Sequence, residues 1–486
     1  MKRRDFLKAA GWAVASRAGA STFAAGRTTG GRRPNVVFIL ADDLGYADLG
    51  CYGQKKIRTP NIDKLAAEGM RFTQCYSGNP VCAPSRCTLM TGYHTGHAQV
   101  RNNRQVGGDE GWVLGATTGG QWPLTEGTFT VGHLFQKAGY ATGAFGKWGL
   151  GRVGTTGEPA KQGFDQFFGY NCQRQAHTFY PNHLWRNSEI CWIEENKDGQ
   201  EKVYSHDLIM QEALKFVETN KDRPFFLYVP STIPHVALQV PEDSLAEYKD
   251  QWPDPPYDGK RGYVPHVHPR ACYAGMVTRL DKAVGDLMAL LKKLGLDENT
   301  LVIFSSDNGP TNAGGSDAGF FESAGPLNGL KGSVWEGGVR VPFLARWPGR
   351  IEPGSTSDHL GAFWDFLPTC AELLGEKPPK GIDGISMLPT FLGRPGQRKH
   401  EYLYWELNGQ QGVRLGDWKA VRLKPNQKIQ LFNLKTDIGE KNDIGDQHPQ
   451  IVAKMQDILQ NGRTESEVFP LQPPGGNANK NKAKKK

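Results

Sequence analysis

The sequence predicts an α/β fold with a largely parallel sheet, followed by a small antiparallel sheet near the C terminus. Short runs of uniformly apolar residues alternate with helical patterns along most of the chain. Such runs are typical of parallel strands that are buried on both faces. Beyond about Gly396 the pattern changes to short strand-like pieces separated by Gly, Asp, Asn and Lys, which is typical of antiparallel pairing.

Four apolar runs predict the strands of the parallel sheet. They span residues 36–40, 140–145, 225–229 and 301–304. Each run is followed closely by polar residues capable of chemistry, and these are Asp42, Asp43, Lys147, His235, Asp307 and Asn308. Ligands of open α/β sheets bind beyond the carboxyl ends of the strands, so this repetition indicates a functional site at that edge.

Three stretches between these runs predict helices. The first begins at Thr59, has a proline in its first turn and ends at Gly69. The second spans residues 130–137. The third carries apolar residues three or four positions apart over residues 276–294 and is stopped by Gly295.

The C-terminal pieces predict a separate small sheet. Its strand-like segments are residues 402–405, 412–414, 418–421 and 430–432. We therefore predict a main α/β domain over residues 34–395 and a C-terminal α+β subdomain over residues 396–468.

The formal charge of +8 suggests a nucleic-acid partner at first sight. However, the first 20 residues carry a net charge of +4 and the last seven carry +5, so the remaining chain is nearly neutral. A near-neutral body argues against nucleic-acid binding, which needs clustered Lys and Arg on the folded domain. No apolar run approaches the roughly 18 residues of a transmembrane helix, so none is expected.

The two ends of the chain predict an export signal and a tail. Residues 1–33 carry the pair Arg3-Arg4, a short apolar stretch and small residues, and resemble a twin-arginine export signal with a linker. The alternative is an ordinary basic amphipathic terminus. The signal implies a periplasmic or extracellular protein. Residues 469–486 predict a disordered Lys-rich tail, with binding to a polyanion as the alternative to simple solvation.

The carboxylates that follow two of the strands predict a metal site. Asp42, Asp43 and Asp307 supply carboxylate oxygens and Asn308 supplies an amide oxygen. These hard ligands suit Ca²⁺ or Mg²⁺ rather than zinc. Either pair alone is also compatible with an Asx turn or a helix cap, but two pairs at equivalent strand ends favour a cation.

A cysteine-containing segment predicts an anion site. Cys82 precedes Pro84, which suits the first turn of a helix, so Cys82 is expected at the helix N terminus, where amide groups favour anions. Arg86 lies one helical turn further on the same face. This arrangement outlines a site for sulfate or phosphate.

This segment, Cys82-x-Pro84-Ser85-Arg86 with Thr91-Gly92 after it, resembles the signature of the sulfatase family. Five further segments agree in order: Asp42-Asp43-Leu44-Gly45, Gly146-Lys147-Trp148, Pro234-His235, Asp307-Asn308-Gly309 and Gly329-Leu330-Lys331-Gly332. The resemblance runs from about residue 34 to residue 442. It implies an alkaline-phosphatase-like fold, with a large mixed sheet flanked by helices and a small C-terminal antiparallel sheet.

The resemblance also implies a reaction. A maturation enzyme that generates formylglycine would convert Cys82 to Cα-formylglycine, whose hydrated form attacks the sulfur of a sulfate ester and forms a sulfated intermediate. One divalent cation, Ca²⁺ in preference to Mg²⁺, would be held by Asp42, Asp43, Asp307, Asn308 and the modified Cys82. Arg86 would hold the formylglycine diol, Lys147 and Lys331 would contact the sulfate, and His235 would protonate the leaving alcohol. The expected substrate is a sulfated carbohydrate.

One position departs from the family pattern. Most sulfatases carry a histidine two residues after the equivalent of Lys147, whereas this chain has Gly149. His177 is the candidate base for sulfate release, and an ordinary histidine of a substrate loop is the alternative. Two other functions stay open: a phosphomonoester or phosphonate monoester hydrolase, and a non-catalytic glycan-binding protein.

The other cysteines carry no recognisable motif. No Cys-x-x-Cys pair occurs, which argues against a zinc ribbon or a redox motif. Seven cysteines remain once Cys82 is set aside, and because seven is odd, at least one is a free thiol.

Overall fold

The computed structural model describes residues 33–106 and 119–471. Within these ranges the strands are β1 (Asn35–Ala41), β2 (Met70–Phe72), β3 (Cys75–Tyr76), β4 (Gln105–Val106), β5 (Gly120–Gln121), β6 (Ala141–Lys147), β7 (Gln166–Tyr170), β8 (His183–Arg186), β9 (Glu189–Trp192), β10 (Phe225–Pro230), β11 (Thr300–Ser306), β12 (Phe343–Arg346), β13 (Ser355–Ser357), β14 (Gly361–Ala362), β15 (Leu403–Leu407), β16 (Gln410–Leu415), β17 (Trp418–Arg422) and β18 (Gln430–Asn433). The α-helices there are α1 (Pro60–Ala67), α2 (Cys82–Thr91), α3 (Val131–Lys137), α4 (Ser205–Thr219), α5 (Glu242–Ala246), α6 (Pro269–Lys293), α7 (Glu336–Val339), α8 (Phe366–Leu374), α9 (Leu388–Phe391) and α10 (Pro449–Asn461). The predicted export signal and linker, apart from Arg33, lies outside the described residues, as does the predicted tail beyond Leu471.

The large sheet is mixed, with a parallel centre. Its strand order is β13-β2-β12-β11-β1-β10-β6-β7-β8-β9. Strands β11, β1, β10, β6 and β7 run parallel to one another, and antiparallel pairs flank them on both sides. The four apolar runs of the sequence form β11, β1, β10 and β6, which are neighbours in the sheet. The predicted fold class is therefore confirmed.

Both faces of the central strands are covered by helices. Val37 and Ile39 of β1 pack in one core with residues of α1, α4 and α6. Phe38 and Leu40, which point the other way, pack in a second core with residues of α2, α3 and α8. Because successive side chains of a strand alternate between two buried faces, the whole run has to be apolar.

The predicted helices are present with small changes in their limits. Helix α1 begins at Pro60, and α3 begins after Thr130, whose side chain accepts a hydrogen bond from the backbone of His133. Helix α6 starts at Pro269, seven residues before the apolar periodicity starts at Met276, because a proline in the first helical turn begins it there.

The small C-terminal sheet has the order β15-β16-β17-β18 and is antiparallel throughout. Helix α10 packs against it through Met455 and Leu459. The sheet contacts the rest of the chain through Lys419, whose amine lies 2.9 Å from a Glu336 carboxylate oxygen, and both side chains are fully buried. The antiparallel sheet is as predicted, and the domain limits at residues 395 and 396 stay predictions.

The packed part of the chain extends further than the sequence predicts. Phe469, which falls within the predicted tail, is buried, and its ring centroid lies 6.1 Å from that of Trp122. Phe469 therefore belongs to the packed part of the chain.

Two further features follow from the described residues. All eight cysteines lie among them as free thiols, so no disulfide stabilises the fold. Among the helices of the described ranges, none has the length and apolar character needed to cross a bilayer.

Candidate active site

The carboxyl ends of β1 and β11 place the predicted metal ligands side by side. Ala41 pairs with Ser306, and the amide of Asp307 donates to the carbonyl oxygen of Ala41 at 3.0 Å. The amide of Asp43 in turn donates to Oδ1 of Asp307 at 3.2 Å. Asp43 adopts a left-handed backbone with φ of 65°, which turns the chain sharply at the strand end. The pairs Asp42-Asp43 and Asp307-Asn308 therefore lie next to each other in a buried position.

Cys82 lies at the first residue of α2, as the sequence predicts, and every residue of that helix is buried. Its Sγ lies 3.5 Å from Oδ1 of Asp42 and 3.5 Å from Nζ of Lys331. Nζ of Lys147 lies 3.7 Å from the same sulfur. The side chain of Cys82 therefore faces one carboxylate and two amines.

Arg86 lies one helical turn after Cys82 in α2 and is fully buried. Its guanidinium donates to Oδ2 of Asp307 at 2.8 Å and to Oδ2 of Asp42 at 3.2 Å, and also donates to the carbonyl oxygen of Lys147. Burial opposes the charged form, but the two carboxylates raise the pKa of Arg86 above its ordinary value. Arg86 thus holds the ends of β1, β6 and β11 together.

The two lysines each bind a different carboxylate of the Asp42-Asp43 pair. Nζ of Lys147 donates to Oδ2 of Asp42 at 2.5 Å, and Nζ of Lys331 donates to Oδ2 of Asp43 at 2.8 Å. Burial opposes both charges, but the neighbouring carboxylates raise the pKa of each lysine, so both amines are protonated at neutral pH. The Lys147 side chain is 1% exposed and that of Lys331 is 17% exposed, so Lys331 lies on the solvent side.

His235 is oriented by its own segment of backbone. Its Nδ1 donates to the carbonyl oxygen of Val236, which leaves Nε2 as the free nitrogen, 3.7 Å from Oδ2 of Asp43. Burial, together with the charges of Lys331 and Lys147, lowers the pKa of His235 well below its ordinary value. The imidazole is therefore neutral in this state.

His177 lies at the edge of the same cluster. Its ring stacks on that of His235, with a centroid distance of 4.9 Å and an interplanar angle of 17°. The ring of Tyr263 lies 5.2 Å from His177. Burial lowers the pKa of His177 below its ordinary value, and the charges of Lys147 and Lys331 act in the same direction. The structure thus brings this histidine to the site, and adds Tyr263, which nothing in the sequence pattern indicated.

The carboxylates of the site differ in pKa. Burial opposes ionisation of Asp42, but the charges of Lys147, His235, Arg86 and Lys331 hold its pKa well below the usual range. Burial and the charge of Asp42 raise the pKa of Asp307 to about 7. Three carboxylates this close repel one another, and a divalent cation would relieve that repulsion.

The residues fit a hard divalent cation. Ligand atoms of Asp42, Asp43, Cys82 and His235 all lie within 4.8 Å of one another. The amide nitrogen of Asn308 donates to Oδ1 of Asp43 at 2.7 Å, while its Oδ1 is buried and has no hydrogen-bond partner among the described residues. An unpaired amide oxygen beside carboxylates is what an oxygen-preferring cation requires.

Gly149 has a neighbour that fills the space beside it. Its φ is +79°, and a Cβ built on it would lie 2.3 Å from Nε2 of Gln173. The side chain of Gln173 therefore occupies the room that a side chain at position 149 would need. No signal in the sequence connects these two positions, because they belong to different strand ends.

The mixed sheet, with carboxylates, lysines and a buried cysteine at its edge, defines a hydrolase of the alkaline-phosphatase-like class. The sequence profile of the family described as Sulfatase matches residues 34–376, and the chain belongs to this family. A second profile, described as N-sulphoglucosamine sulphohydrolase, C-terminal, matches residues 330–465. The resemblance inferred from the motifs is therefore confirmed.

Individual relatives agree with the family assignment. The chain is 33% identical over 473 residues to N-acetylgalactosamine-6-sulfatase of Mus musculus, and the match covers 90% of this chain and 82% of the relative. It is 36% identical over 421 residues to arylsulfatase A of Homo sapiens, with 80% and 75% covered. A crystal structure of Ps i-CgsB in complex with k-i-k-neocarrahexaose is similar, with a TM-score of 0.73 and 31% identity over 89% of this chain and 93% of that chain. The chain is a sulfuric ester hydrolase rather than a non-catalytic protein.

The crowding at Gly149 predicts a difference between two glycines. Gly149 and Gly154 have φ of 79° and 80°, so alanine at either position costs about 1–2 kcal/mol of backbone strain. A Cβ at position 149 also meets Gln173, whereas one at position 154 meets nothing within 4 Å. We expect Gly149→Ala to lower the free energy of unfolding by about 1 kcal/mol more than Gly154→Ala, measured by chemical denaturation.

The Gln173→Ala background provides the control for this comparison. With the amide removed, the two glycine substitutions are expected to cost the same. An equal cost already in the wild-type background would contradict the close contact between positions 149 and 173.

Proposed function

We propose that this chain removes a sulfate group from a carbohydrate by hydrolysing the sulfate ester to an alcohol and inorganic sulfate. The observation that carries the proposal is the position of Cys82, whose sulfur lies within 3.7 Å of the amines of both Lys147 and Lys331 and beside Asp42. A carbohydrate substrate is supported by the relatives named N-acetylgalactosamine-6-sulfatase and by the k-i-k-neocarrahexaose bound in the similar crystal structure.

The environment of Cys82 supports its conversion to formylglycine by a maturation enzyme. Burial and the charge of Asp42 raise the pKa of the thiol to about 12, so the unmodified side chain is a protonated thiol and a weak nucleophile at neutral pH. A hydrated aldehyde at the same position offers two hydroxyl groups, one to attack sulfur and one to release the sulfate.

The proposed cation is Ca²⁺, with Mg²⁺ as the alternative, held by Asp42, Asp43, Asp307, Asn308 and modified Cys82. When bound, it would lower the pKa of the attacking hydroxyl and offset the charge of the sulfate oxygens. Arg86 fixes Asp42 and Asp307 and so positions two of the ligands. Lys147 and Lys331 are placed to contact the sulfate oxygens.

His235 is the proposed donor of a proton to the leaving alcohol oxygen. An alkoxide is a poor leaving group at neutral pH, so a proton donor accelerates its departure. The Nδ1 bond to the Val236 carbonyl aims Nε2 into the cluster. Burial and the charges of Lys331 and Lys147 lower the pKa of His235; a sulfate anion between the two lysines would offset their charges and so favour the protonated imidazole.

His177 is the proposed base for sulfate release, because Gly149 provides no side chain. Its stacking on His235 places the ring at the edge of the cluster, and the lowered pKa keeps it in the neutral form that accepts a proton.

The proposed location is the periplasm or the extracellular space. This proposal rests on the sequence of residues 1–33, with its paired arginines and small-residue stretch.

The reaction is tested by measuring sulfate release from N-acetylgalactosamine 6-sulfate and 4-nitrophenyl sulfate. The protein is produced together with a formylglycine-generating enzyme, and its Cys82 peptide is analysed by mass spectrometry. We expect Cys82→Ala to lower turnover by about a thousandfold or more. Cys87→Ala, in the same buried helix, is the matched control and keeps activity. Faster cleavage of the corresponding phosphate or phosphonate monoester would instead favour the phosphohydrolase alternative.

The cation is tested by thermal melting of protein treated with a chelator. We expect Ca²⁺ at about a hundred times its dissociation constant to stabilise the wild type by about 2.7 kcal/mol. Asn308→Ala removes the unpaired amide oxygen and should require on the order of ten times more Ca²⁺ for the same shift. Asp383→Asn, in the separate cluster of His94, His97 and Asp383, should respond like the wild type. A wild type that melts identically with Ca²⁺, Mg²⁺ and chelator would disprove the cation site.

The role of His177 is tested by trapping. We expect His177→Ala to accept sulfate from the substrate but to release it slowly, so that the peptide containing residue 82 retains sulfate in a quenched reaction. His97→Ala, which lies outside the cluster, is the control. Full turnover by His177→Ala would exclude this histidine as the base.

A further inference from the structure

Two neutral amide side chains directly after β7 lack the partners that buried amides require. Asn171 is 2% exposed and Gln173 is 4% exposed. Both polar atoms of the Asn171 side chain, and Nε2 of Gln173, are buried without a hydrogen-bond partner among the described residues. Each such group costs about 1–3 kcal/mol when it is left unpaired. A cost of this size indicates that something else binds these groups.

These amides lie beside the strand end that carries Lys147. Strand β7 is the parallel neighbour of β6, with Tyr170 opposite Lys147, and the amide of Trp148 donates to the carbonyl oxygen of Tyr170 at 2.9 Å. Nε2 of Gln173 lies next to Gly149, two residues beyond Lys147. The chain then continues to His177, whose ring stacks on that of His235. Residues 171–177 therefore border the site from Lys147 to His235.

Neighbouring amides already hold this segment in place. Oε1 of Gln121 accepts a hydrogen bond from the backbone amide of Gln173 at 2.8 Å. Nε2 of Gln175 donates to the carbonyl oxygen of His183 at 2.9 Å. Because these contacts secure the backbone, the side chains of Asn171 and Gln173 are available for a ligand.

The chemistry of the unpaired atoms favours a hydroxyl group over an anion. Oδ1 of Asn171 accepts hydrogen bonds, and Nδ2 of Asn171 and Nε2 of Gln173 donate them. A sulfate oxygen only accepts, so Oδ1 of Asn171 would repel it. A hydroxyl both donates and accepts and can satisfy both amides.

We propose that Asn171 and Gln173 form a hydroxyl-binding subsite that selects a sugar with a free hydroxyl close to its sulfate ester. This subsite rests on the proposed function, because it needs a polyhydroxylated substrate with its sulfate between Lys147 and Lys331. It gives the chain a preference for sugar sulfates over sulfate esters that carry no hydroxyl groups. Gly149 makes the subsite feasible, since any larger residue there would displace Gln173.

The test compares two probes, N-acetylgalactosamine 6-sulfate and 4-nitrophenyl sulfate, which has no hydroxyl. Asn171→Leu and Gln173→Leu each remove one amide with little change in volume. We expect each to lower the ratio of kcat/KM for the sugar to kcat/KM for 4-nitrophenyl sulfate by about tenfold. An unchanged ratio in both variants would overturn the subsite.

Thermal melting separates this role from a structural one. Removing an unpaired buried amide relieves its cost, so Asn171→Leu and Gln173→Leu should melt at or above the wild-type temperature. Gln175→Leu is the matched control, because it loses real hydrogen bonds and should melt lower without a change in the ratio. Lower melting of Asn171→Leu and Gln173→Leu together with an unchanged ratio would show a purely structural role.

A crystal structure of the Cys82→Ala variant soaked with N-acetylgalactosamine 6-sulfate decides the case independently of turnover. We expect a sugar hydroxyl within hydrogen-bond distance of Asn171 or Gln173. Ordered water on both amides with the sugar bound elsewhere would refute the subsite. A wild type that hydrolyses neither probe would refute the proposed function instead.

Discussion

The site depends on one electrostatic constraint, which is that three buried carboxylates at neighbouring strand ends need positive charge nearby. Asp42, Asp43 and Asp307 are each at most 1% exposed, so water cannot screen them. Arg86, from α2, and Lys147, at the end of β6, supply this positive charge by forming ion pairs with Asp307 and Asp42. The ion pairs of Arg86 hold α2 against the strand ends. Cys82, the first residue of that helix, therefore lies among the charged side chains of the site.

The C-terminal sheet takes part in the same arrangement through Lys331. The backbone amide of Lys331 donates to the carbonyl oxygen of Pro310, just after β11, at 2.8 Å. The side chain of Gln410, at the start of β16, donates to the carbonyl oxygen of Gly332 at 2.9 Å. The segment that carries the solvent-side lysine is thus held between the two sheets. Loss of the small sheet would therefore disturb the anion site as well as the stability of the chain.

The sequence predicts the centre of this molecule well, because long-range contacts there leave local patterns. Strands buried on both faces are uniformly apolar, so β1, β6, β10 and β11 could be recognised, and the ligands follow directly after them. The contact of Gln173 with Gly149 leaves no such pattern, since neither residue is unusual among its own neighbours. Strand β7 was also missed, because Gln166 and Gly169 interrupt a short run. Its end carries the two unpaired amides.

Protonation in the cluster is coupled to what occupies it. In the present state burial, together with the charges of Lys331 and Lys147, lowers the pKa of His235, so its imidazole is neutral. A sulfate group bound between these lysines brings negative charge to the same place and raises that pKa. In the proposed mechanism His235 would be protonated when the anion binds, and its charge would favour the neutral form of the stacked His177. In that mechanism a histidine that donates a proton and one that accepts a proton could lie in contact, because the bound anion would separate their pKa values.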